Sequence, residues 1–251
     1  MANVIKLRKG LDINLKGKAN FETIRRIDCS EIALVPDSFG GVTPKVIVRE
    51  GDYVKAGEAL FVDKKYPEMK FASPVSGTVK AVVRGDRRKV LYVKVKADET
   101  QQFVDFGIKD IEKLDGRAIK EALLASGLFS FIQQLPYAVT TTPDTMPKAI
   151  FVSAFRDMPL ASDFEIELRG NEKDFQTGLT ALSKIQKTYL GVSKQQTASA
   201  LISAKDVEIN VFDGKCPAGN VGVQVNHIDP INKGEVVWTI DPAAVIFFGR
   251  L

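Results

Sequence analysis

The only histidine of the sequence, His227, lies two residues before Asp229 and three before Pro230. An imidazole beside a carboxylate can act as a general acid or base near neutral pH. The same side chain can instead donate one hydrogen bond that fixes the turn before Pro230. The sequence favours this structural role and leaves the chemical one open.

Arg156 is a second candidate because it follows a predicted buried strand, Ala149 to Ala154, and stands between Phe155 and Asp157. The carboxyl ends of such strands are where open α/β sheets place their ligands. Arg156 could therefore bind an anionic or carbonyl-bearing ligand. A surface turn in which Arg156 pairs with Asp157 explains the same residues equally well.

The glycine pattern argues against binding of NAD or flavin by this chain. A dinucleotide site needs glycines between a strand and a helix, so that backbone N–H groups can approach the phosphates. Gly40-Gly41 is an isolated pair, and the residues after Gly127, Leu128 to Gln134, are bulky and contain no glycine.

Two glycine-punctuated stretches, 48–57 and 69–79, resemble biotinyl and lipoyl carrier domains, in which a lysine at an exposed hairpin tip is modified. Here Lys70 lies only four residues before Pro74, too close to be that tip. Lys64 and Lys65 would occupy the bend, without the flanking residues that carriers have. We therefore predict no modified lysine and interpret the stretches as a structural barrel.

The two cysteines, Cys29 and Cys216, lie far apart in the sequence. This chain alone therefore cannot supply a four-cysteine zinc site or an iron–sulfur cluster. No secretory segment precedes them, and we interpret them as reduced thiols.

Short apolar runs between Gly-containing turns predict a small flattened barrel over about residues 30–97. In its last strand, alternation predicts that Leu91, Val93 and Val95 face inward. The spacing of the apolar residues then changes from the alternation of strands to that of helices. Asp115 is the predicted N-cap of a helix that runs to Ala125 and stops at Gly127.

Leu128 to Leu135 keep helical spacing and predict a second helix, which Pro136 ends. Residues 138–147 are the best linker candidate. A strand from Ala149, a helix over 172–187 and a strand over 188–192 then indicate a parallel α/β sheet. Further strands are predicted over 207–212, 235–240 and 245–248, and the apolar end at Leu251 predicts that the chain continues.

The overall charge is mild, with 35 Lys and Arg against 31 Asp and Glu, which argues against a nucleic-acid partner. The longest apolar runs fall far short of the roughly 20 residues that span a bilayer. The basic group Arg84, Arg87, Arg88 and Lys89 is interpreted as a solvated hairpin tip. It could also meet an acidic partner or lipid headgroups.

Several segments in order resemble the NqrA family, whose members are components of the bacterial Na⁺-translocating NADH:quinone oxidoreductases. They are the N-terminal run Ile5 to Ile13, the barrel motif, Lys148 to Ala154, Cys216 to Gly222 and His227 to Pro230. More distant relatives, the RnfC component of the Rnf complex and the NADH-binding subunit of respiratory complex I, carry a glycine-rich flavin and NADH loop where this chain has Phe129 to Gln134. They also carry iron–sulfur cysteines that this chain lacks.

The resemblance implies an α/β (α+β multidomain) chain in three parts. Residues 1–97 would hold an N-terminal segment and a biotinyl/lipoyl-like barrel-sandwich domain, with its core at about 30–97. Residues 98–205 would form a Rossmann-like α/β domain with a degenerate nucleotide site. Residues 206–251 would begin a β-rich C-terminal region.

The same resemblance implies a peripheral subunit on the cytoplasmic side of the bacterial inner membrane, with no transmembrane segment and no tightly bound cofactor. NADH, flavins and iron–sulfur centres would belong to other subunits, which are its implied partners, and a quinone would be its ligand. From aromatic and donor chemistry, the candidate quinone-binding residues are Phe129, Phe131, Phe155, Arg156 and His227. A carrier with a modified lysine and a purely structural adaptor of a membrane complex are the alternatives.

Overall fold

The computed structural model describes residues 3–17, 27–107 and 109–251. Its first strand, β1 (Asn3–Lys6), pairs in parallel with residues 210–213, far along the chain. β1 therefore belongs to the α/β sheet, and the barrel is an insertion between β1 and the rest of that sheet.

The barrel consists of two small antiparallel sheets that face each other, as the sequence predicted. One sheet has four strands and the other has three. The strands are β2 (Glu31–Leu34), β3 (Pro44–Val46), β4 (Tyr53–Val54), β5 (Ala59–Asp63), β6 (Lys70–Ala72), β7 (Gly77–Arg84) and β8 (Val90–Ala97). Phe61 and Phe71 stack between the sheets with ring centroids 4.7 Å apart, and both are fully buried.

The predicted alternation in β8 holds for Val93 and Val95, which are buried, and is wrong for Leu91, which is 37% exposed. The register between β7 and β8 shifts near the hairpin end, where Arg84 pairs with Val90. A shift of one residue turns a side chain to the other face of a sheet. Val90 consequently takes the inward position.

Outside the barrel, the described residues form a seven-stranded sheet covered by helices, which confirms the predicted α/β class. Its further strands are β9 (Gln133–Leu135), β10 (Val139–Thr140), β11 (Ile150–Ser153), β12 (Thr188–Ser193), β13 (Glu208–Asp213) and β14 (Val237–Ile240). The helices are α1 (Gly116–Ser126), α2 (Phe164–Leu168), α3 (Glu172–Ile185), α4 (Ser199–Ile202), α5 (Val221–Ile228) and α6 (Pro242–Arg250).

The strand order of this sheet is β1-β13-β12-β11-β14-β9-β10, in which β9 runs antiparallel to β14 and β10 runs antiparallel to β9. Helices α3 and α6 pack on one face, and α5 packs on the other. The largest core runs from the barrel through α1 to α3 and α6, and it includes the fully buried Trp238.

Helix α1 begins and ends as predicted. The Asp115 carboxylate accepts a hydrogen bond from the N–H of Ala118 at 2.8 Å, and Gly127 adopts the left-handed conformation with φ 81°. The predicted second helix is wrong beyond its first turn. Residues Leu128–Phe131 form a 3₁₀ turn, and the next residues pair as β9 with β10, which lies inside the predicted linker.

Residues 206–251 differ from the predicted β-rich region, because they contain helices α5 and α6 beside strands β13 and β14. The predicted strand 245–248 lies within α6, whose N-cap is Asp241 and whose first residue is Pro242. A short apolar run does not distinguish a buried strand from a buried helix. The three-part division of the chain remains a prediction, and its boundary at 205/206 falls between two paired strands of one sheet.

Candidate functional site

The described residues line an open pocket of about 600 Å³ at the carboxyl ends of β11 and β14. From β11 the chain extends the sheet in one direction, through β12 to β13, and then passes through α5 on the opposite face to reach β14 on the other side of β11. The strand order therefore reverses between β11 and β14. Open α/β sheets bind their ligands at such a point.

One wall of the pocket is a row of three uncharged polar side chains on adjacent strands. Gln133 of β9 lies directly opposite Thr140 of β10 on one side and Thr239 of β14 on the other, and all three line the pocket. Paired residues of neighbouring strands point to the same face of a sheet. The row therefore offers hydroxyl and amide donors in one line.

Three aromatic side chains from separate parts of the chain line the same pocket. Phe39 comes from the barrel, Phe131 from the 3₁₀ turn after α1, and Phe155 from the loop after β11. Phe131 is 45% exposed, and its ring centroid lies 6.5 Å from that of Phe247. The pocket thus combines flat apolar surfaces with neutral hydrogen-bonding groups.

Arg156 lines the pocket, but carboxylates already bind its guanidinium. Nη1 donates to Oε1 of Glu167 at 2.5 Å, and Nη2 donates to Oδ1 of Asp241 at 3.2 Å. The hydrogen bond to Glu167 is the main cause that raises the pKa of Arg156. The charge of Arg156 is therefore compensated within the protein. This favours a structural role, in which Arg156 holds the loop after β11, helix α2 and the start of α6 together.

The other two predicted residues lie elsewhere. Phe129 is 2% exposed and packs edge-on against Trp238, with ring centroids 5.7 Å apart, inside the core. His227 is exposed in the last turn of α5, where Nδ1 lies 2.8 Å from the carbonyl oxygen of Val223. The structure brings Phe131, Phe155 and Arg156 together and leaves Phe129 and His227 outside the pocket lining.

The lysine-bearing hairpin of the barrel is docked on the α/β sheet. The Asp63 carboxylate, 5% exposed, accepts hydrogen bonds from the N–H groups of Thr43 and Lys65, both at 2.8 Å. The Tyr66 phenol donates to Asp144 at 2.6 Å, and Nζ of Lys70 lies 3.4 Å from the carbonyl oxygen of Ala125. In this chain the hairpin joins two modules.

Membrane-spanning helices and metal clusters are both absent from the part of the chain that the structure describes. No helix there is long and apolar enough to cross a membrane. No group of three or more His, Cys, Asp or Glu side chains among those described residues could hold a metal ion.

Sequence reasoning missed Phe39, Gln133, Thr140 and Thr239. Gln133 and Thr140 fell in a predicted helix and a predicted linker, so their shared strand face was hidden. Phe39 is distant in sequence and reaches the pocket only because the barrel docks there; the backbone N–H of Thr140 donates to the carbonyl oxygen of Gly40 at 2.9 Å. The polar position of Thr239 between Trp238 and Ile240 was the one available signal.

Comparisons with known proteins agree with the two modules. Residues 5–98 match the family model described as the NqrA N-terminal barrel-sandwich hybrid domain. Residues 114–251 match the model described as the NqrA second alpha/beta domain.

Three similar curated proteins are each named as the A subunit of Na(+)-translocating NADH-quinone reductase. The protein from Saccharophagus degradans is 34% identical over 251 residues, that from Histophilus somni is 33% identical over 251, and that from Actinobacillus succinogenes is 34% identical over 252. Each alignment covers 99% of this chain and 56% of the relative. The chain therefore spans little more than half the length of these relatives.

Proposed function

Because this chain belongs to the NqrA family, we propose that the protein is the NqrA component of a Na⁺-translocating NADH:quinone reductase and that its pocket holds the quinone ring. The complete enzyme would oxidise NADH, reduce a quinone and couple this electron flow to Na⁺ export. This component would lie at the cytoplasmic side of the bacterial inner membrane. NADH, the flavins and the iron–sulfur centre would be bound by the other subunits, its partners.

The observation that carries the quinone proposal is the lining of the pocket. A quinone ring needs a flat apolar slot and one or two donors to its carbonyl oxygens. Phe131 and Phe155 supply apolar surface, and Gln133 and Thr239 supply neutral donors at the end of the parallel strands. Arg156 supports the loops that form the slot through Glu167 and Asp241.

The pocket does not fit a tightly bound flavin nucleotide. The turn after α1 that contributes to its wall is Leu128–Phe131, which contains no glycine and brings Phe129 into the core. A phosphate needs close approach to backbone N–H groups, which bulky residues obstruct. The proposed role of this chain is therefore to bind and orient the quinone, without a flavin of its own.

Photoaffinity labelling tests the proposal directly. An azidoquinone should be added to the complete protein within the assembled reductase, followed by peptide mapping. We expect label in peptides that contain 131–140, 153–161 or 239–242, protection by unlabelled quinone, and reduced labelling in Phe131→Ala. Protectable label confined to other peptides or other subunits would overturn the assignment of the pocket.

The alternative function is a structural or assembly module, and the docked barrel hairpin favours it. The hydrogen bond between Tyr66 and Asp144 and the packing of the barrel against α1 make a rigid platform. Ala161→Trp separates the two functions, since Ala161 is exposed and lines the pocket. A quinone site predicts an assembled complex with a raised KM for quinone, whereas a purely structural role predicts unchanged kinetics.

A further inference from the structure

Two aspartates occupy the places in the pocket where a phosphate would ordinarily bind. Helices α5 and α6 both begin at its edge, and backbone N–H groups at helix N-termini attract anions. Such an arrangement at the reversal point of an α/β sheet is typical of nucleotide sites. What distinguishes this pocket is that aspartate carboxylates already accept hydrogen bonds from N–H groups near the starts of both helices, those of Gly219 and Ala243.

The first aspartate, Asp241, is the N-cap of α6. Its Oδ1 accepts a hydrogen bond from the N–H of Ala243 at 2.9 Å, and the same carboxylate binds Arg156. The helix terminus therefore carries a built-in negative charge at the pocket edge. A second anion placed there would meet this charge at close range.

The second aspartate, Asp157, binds the backbone of the loop that leads into α5. Its Oδ2 accepts a hydrogen bond from the N–H of Gly219 at 2.7 Å. A Cβ on Gly219 would lie 2.3 Å from the carbonyl oxygen of Phe155, so the two loops touch and leave no room for a phosphate oxygen between them. The next residue, Asn220, caps α5 through its Oδ1, which accepts from the N–H groups of Gly222 and Val223.

The nearby cation does not restore an anion site. Asp241 and Glu167 both bind the terminal nitrogens of Arg156, and Asp157 adds a further carboxylate to the lining. Two carboxylates therefore compensate the single guanidinium, and the Asp157 carboxylate adds a further negative charge to the pocket. The field inside the pocket opposes a phosphate or sulfonate group and leaves an uncharged ligand unaffected.

We propose that Asp157 and Asp241 are specificity determinants that make the pocket accept uncharged carbonyl-bearing rings and reject ligands that carry a phosphate or another strong anion. This inference rests on the proposed function for the identity of the ring. The exclusion of anions depends only on the two carboxylates and the N–H groups that they occupy.

The test compares two ligands that share one ring and differ in charge, 2-(hydroxymethyl)anthraquinone and anthraquinone-2-sulfonate. Calorimetric titration of the complete protein gives the dissociation constant of each. The variants are Asp157→Asn, Asp241→Asn and the double variant, in which the amide oxygen can still accept the N–H hydrogen bond. Asp115→Asn is the matched control, since Asp115 caps α1 outside the pocket lining.

We expect the wild type and Asp115→Asn to bind the neutral compound at least about 30-fold more tightly than the sulfonate, as like-charge repulsion of this kind is worth several-fold per carboxylate. In the double variant, affinity for the sulfonate should rise at least about tenfold, with an unchanged far-ultraviolet circular dichroism spectrum. Sulfonate affinity that stays the same in the double variant would overturn the exclusion, however the neutral compound behaves. Failure of the neutral compound to bind the wild type would instead count against the quinone pocket, and a gain of sulfonate binding in the double variant would still support the exclusion.

Discussion

The phenol of Tyr66 donates a hydrogen bond to the carboxylate of Asp144 across 2.6 Å. Tyr66 lies between β5 and β6 of the barrel, and Asp144 lies between β10 and β11 of the α/β sheet. The Thr142 hydroxyl is the larger cause that lowers the pKa of Asp144, and the Tyr66 phenol is the second. Docking of the barrel is thus coupled to the charge of one carboxylate.

Replacing the Tyr66 phenol should make the melting temperature depend less on pH in the acid range. A carboxylate whose pKa is lowered by folding contributes stability above its unfolded pKa of about 3.9, and this contribution is lost as the pH falls through the folded pKa. Tyr66→Phe should therefore lower the melting temperature at pH 7 and differ little from the wild type well below the pKa of Asp144. Thermal unfolding followed from about pH 7 down to a pH at which Asp144 is fully protonated measures the difference.

Tyr137→Phe provides the control, because Tyr137 is 66% exposed. It should leave the melting temperature unchanged at every pH. An effect of Tyr66→Phe that is equally large at both ends of the pH range would show that packing, and not the charge of Asp144, carries the contact.

Local signals in the sequence were sufficient for much of the fold. Asp115 and Gly127 delimit α1 because a side-chain cap and a left-handed glycine act within a few residues. Strands β11, β12 and β13 were predicted because near-continuous apolar runs are typical of buried parallel strands. Where two structures satisfy one apolar pattern, as at 245–248, only tertiary packing decides.

The candidate site shows the same limit more strongly. Arg156 could be predicted to lie at the carboxyl end of a strand, because that position depends on chain order alone. The two carboxylates that neutralise Arg156 come from α2 and from the start of α6, and no spacing in the sequence links them to it. The row of Gln133, Thr140 and Thr239 likewise exists only through strand pairing.

Gly127, which ends α1 and contacts β6 of the barrel, should tolerate substitution poorly. Its φ is 81°, and a Cβ there would lie 3.1 Å from Cβ of Ala72 and 3.2 Å from the carbonyl oxygen of Lys70. Gly127→Ala should therefore lower the free energy of unfolding by about 2–3 kcal/mol, combining left-handed strain with steric conflict. Denaturant titration of the purified protein measures it.

Gly51→Ala is the matched control for strain alone. Gly51 has φ 91° and nothing within 4 Å of the position that a Cβ would take. Gly51→Ala should lower the free energy of unfolding by about 1 kcal/mol. Equal losses in the two variants would contradict a tight contact between the barrel and the α/β sheet at Gly127.

Phe131→Ala should weaken quinone binding without unfolding the protein. The side chain is already 45% exposed, so its removal should change the free energy of unfolding little. The aromatic surface that Phe131 contributes to the pocket would be lost. We expect affinity to fall about 5–30-fold, equivalent to roughly 1–2 kcal/mol for one aromatic contact. Phe103→Ala, which removes a ring that is 69% exposed and outside the pocket lining, should bind like the wild type. Identical quinone affinity in both variants would remove Phe131 from the site.

Gln133→Met tests whether the polar row supplies a donor to the ligand. Methionine keeps the length of the side chain and removes the amide, and the exposed position of Gln133 limits any effect on folding. Loss of one neutral hydrogen bond should weaken quinone affinity about 3–10-fold.

Gln134→Met is the control from the same strand. Gln134 points to the opposite face, where its Oε1 accepts a hydrogen bond from Thr141 at 3.1 Å, so this variant can lose stability but should keep quinone affinity. Weaker binding in Gln134→Met than in Gln133→Met would place the donor on the wrong face of the sheet and contradict the proposed orientation of the ring.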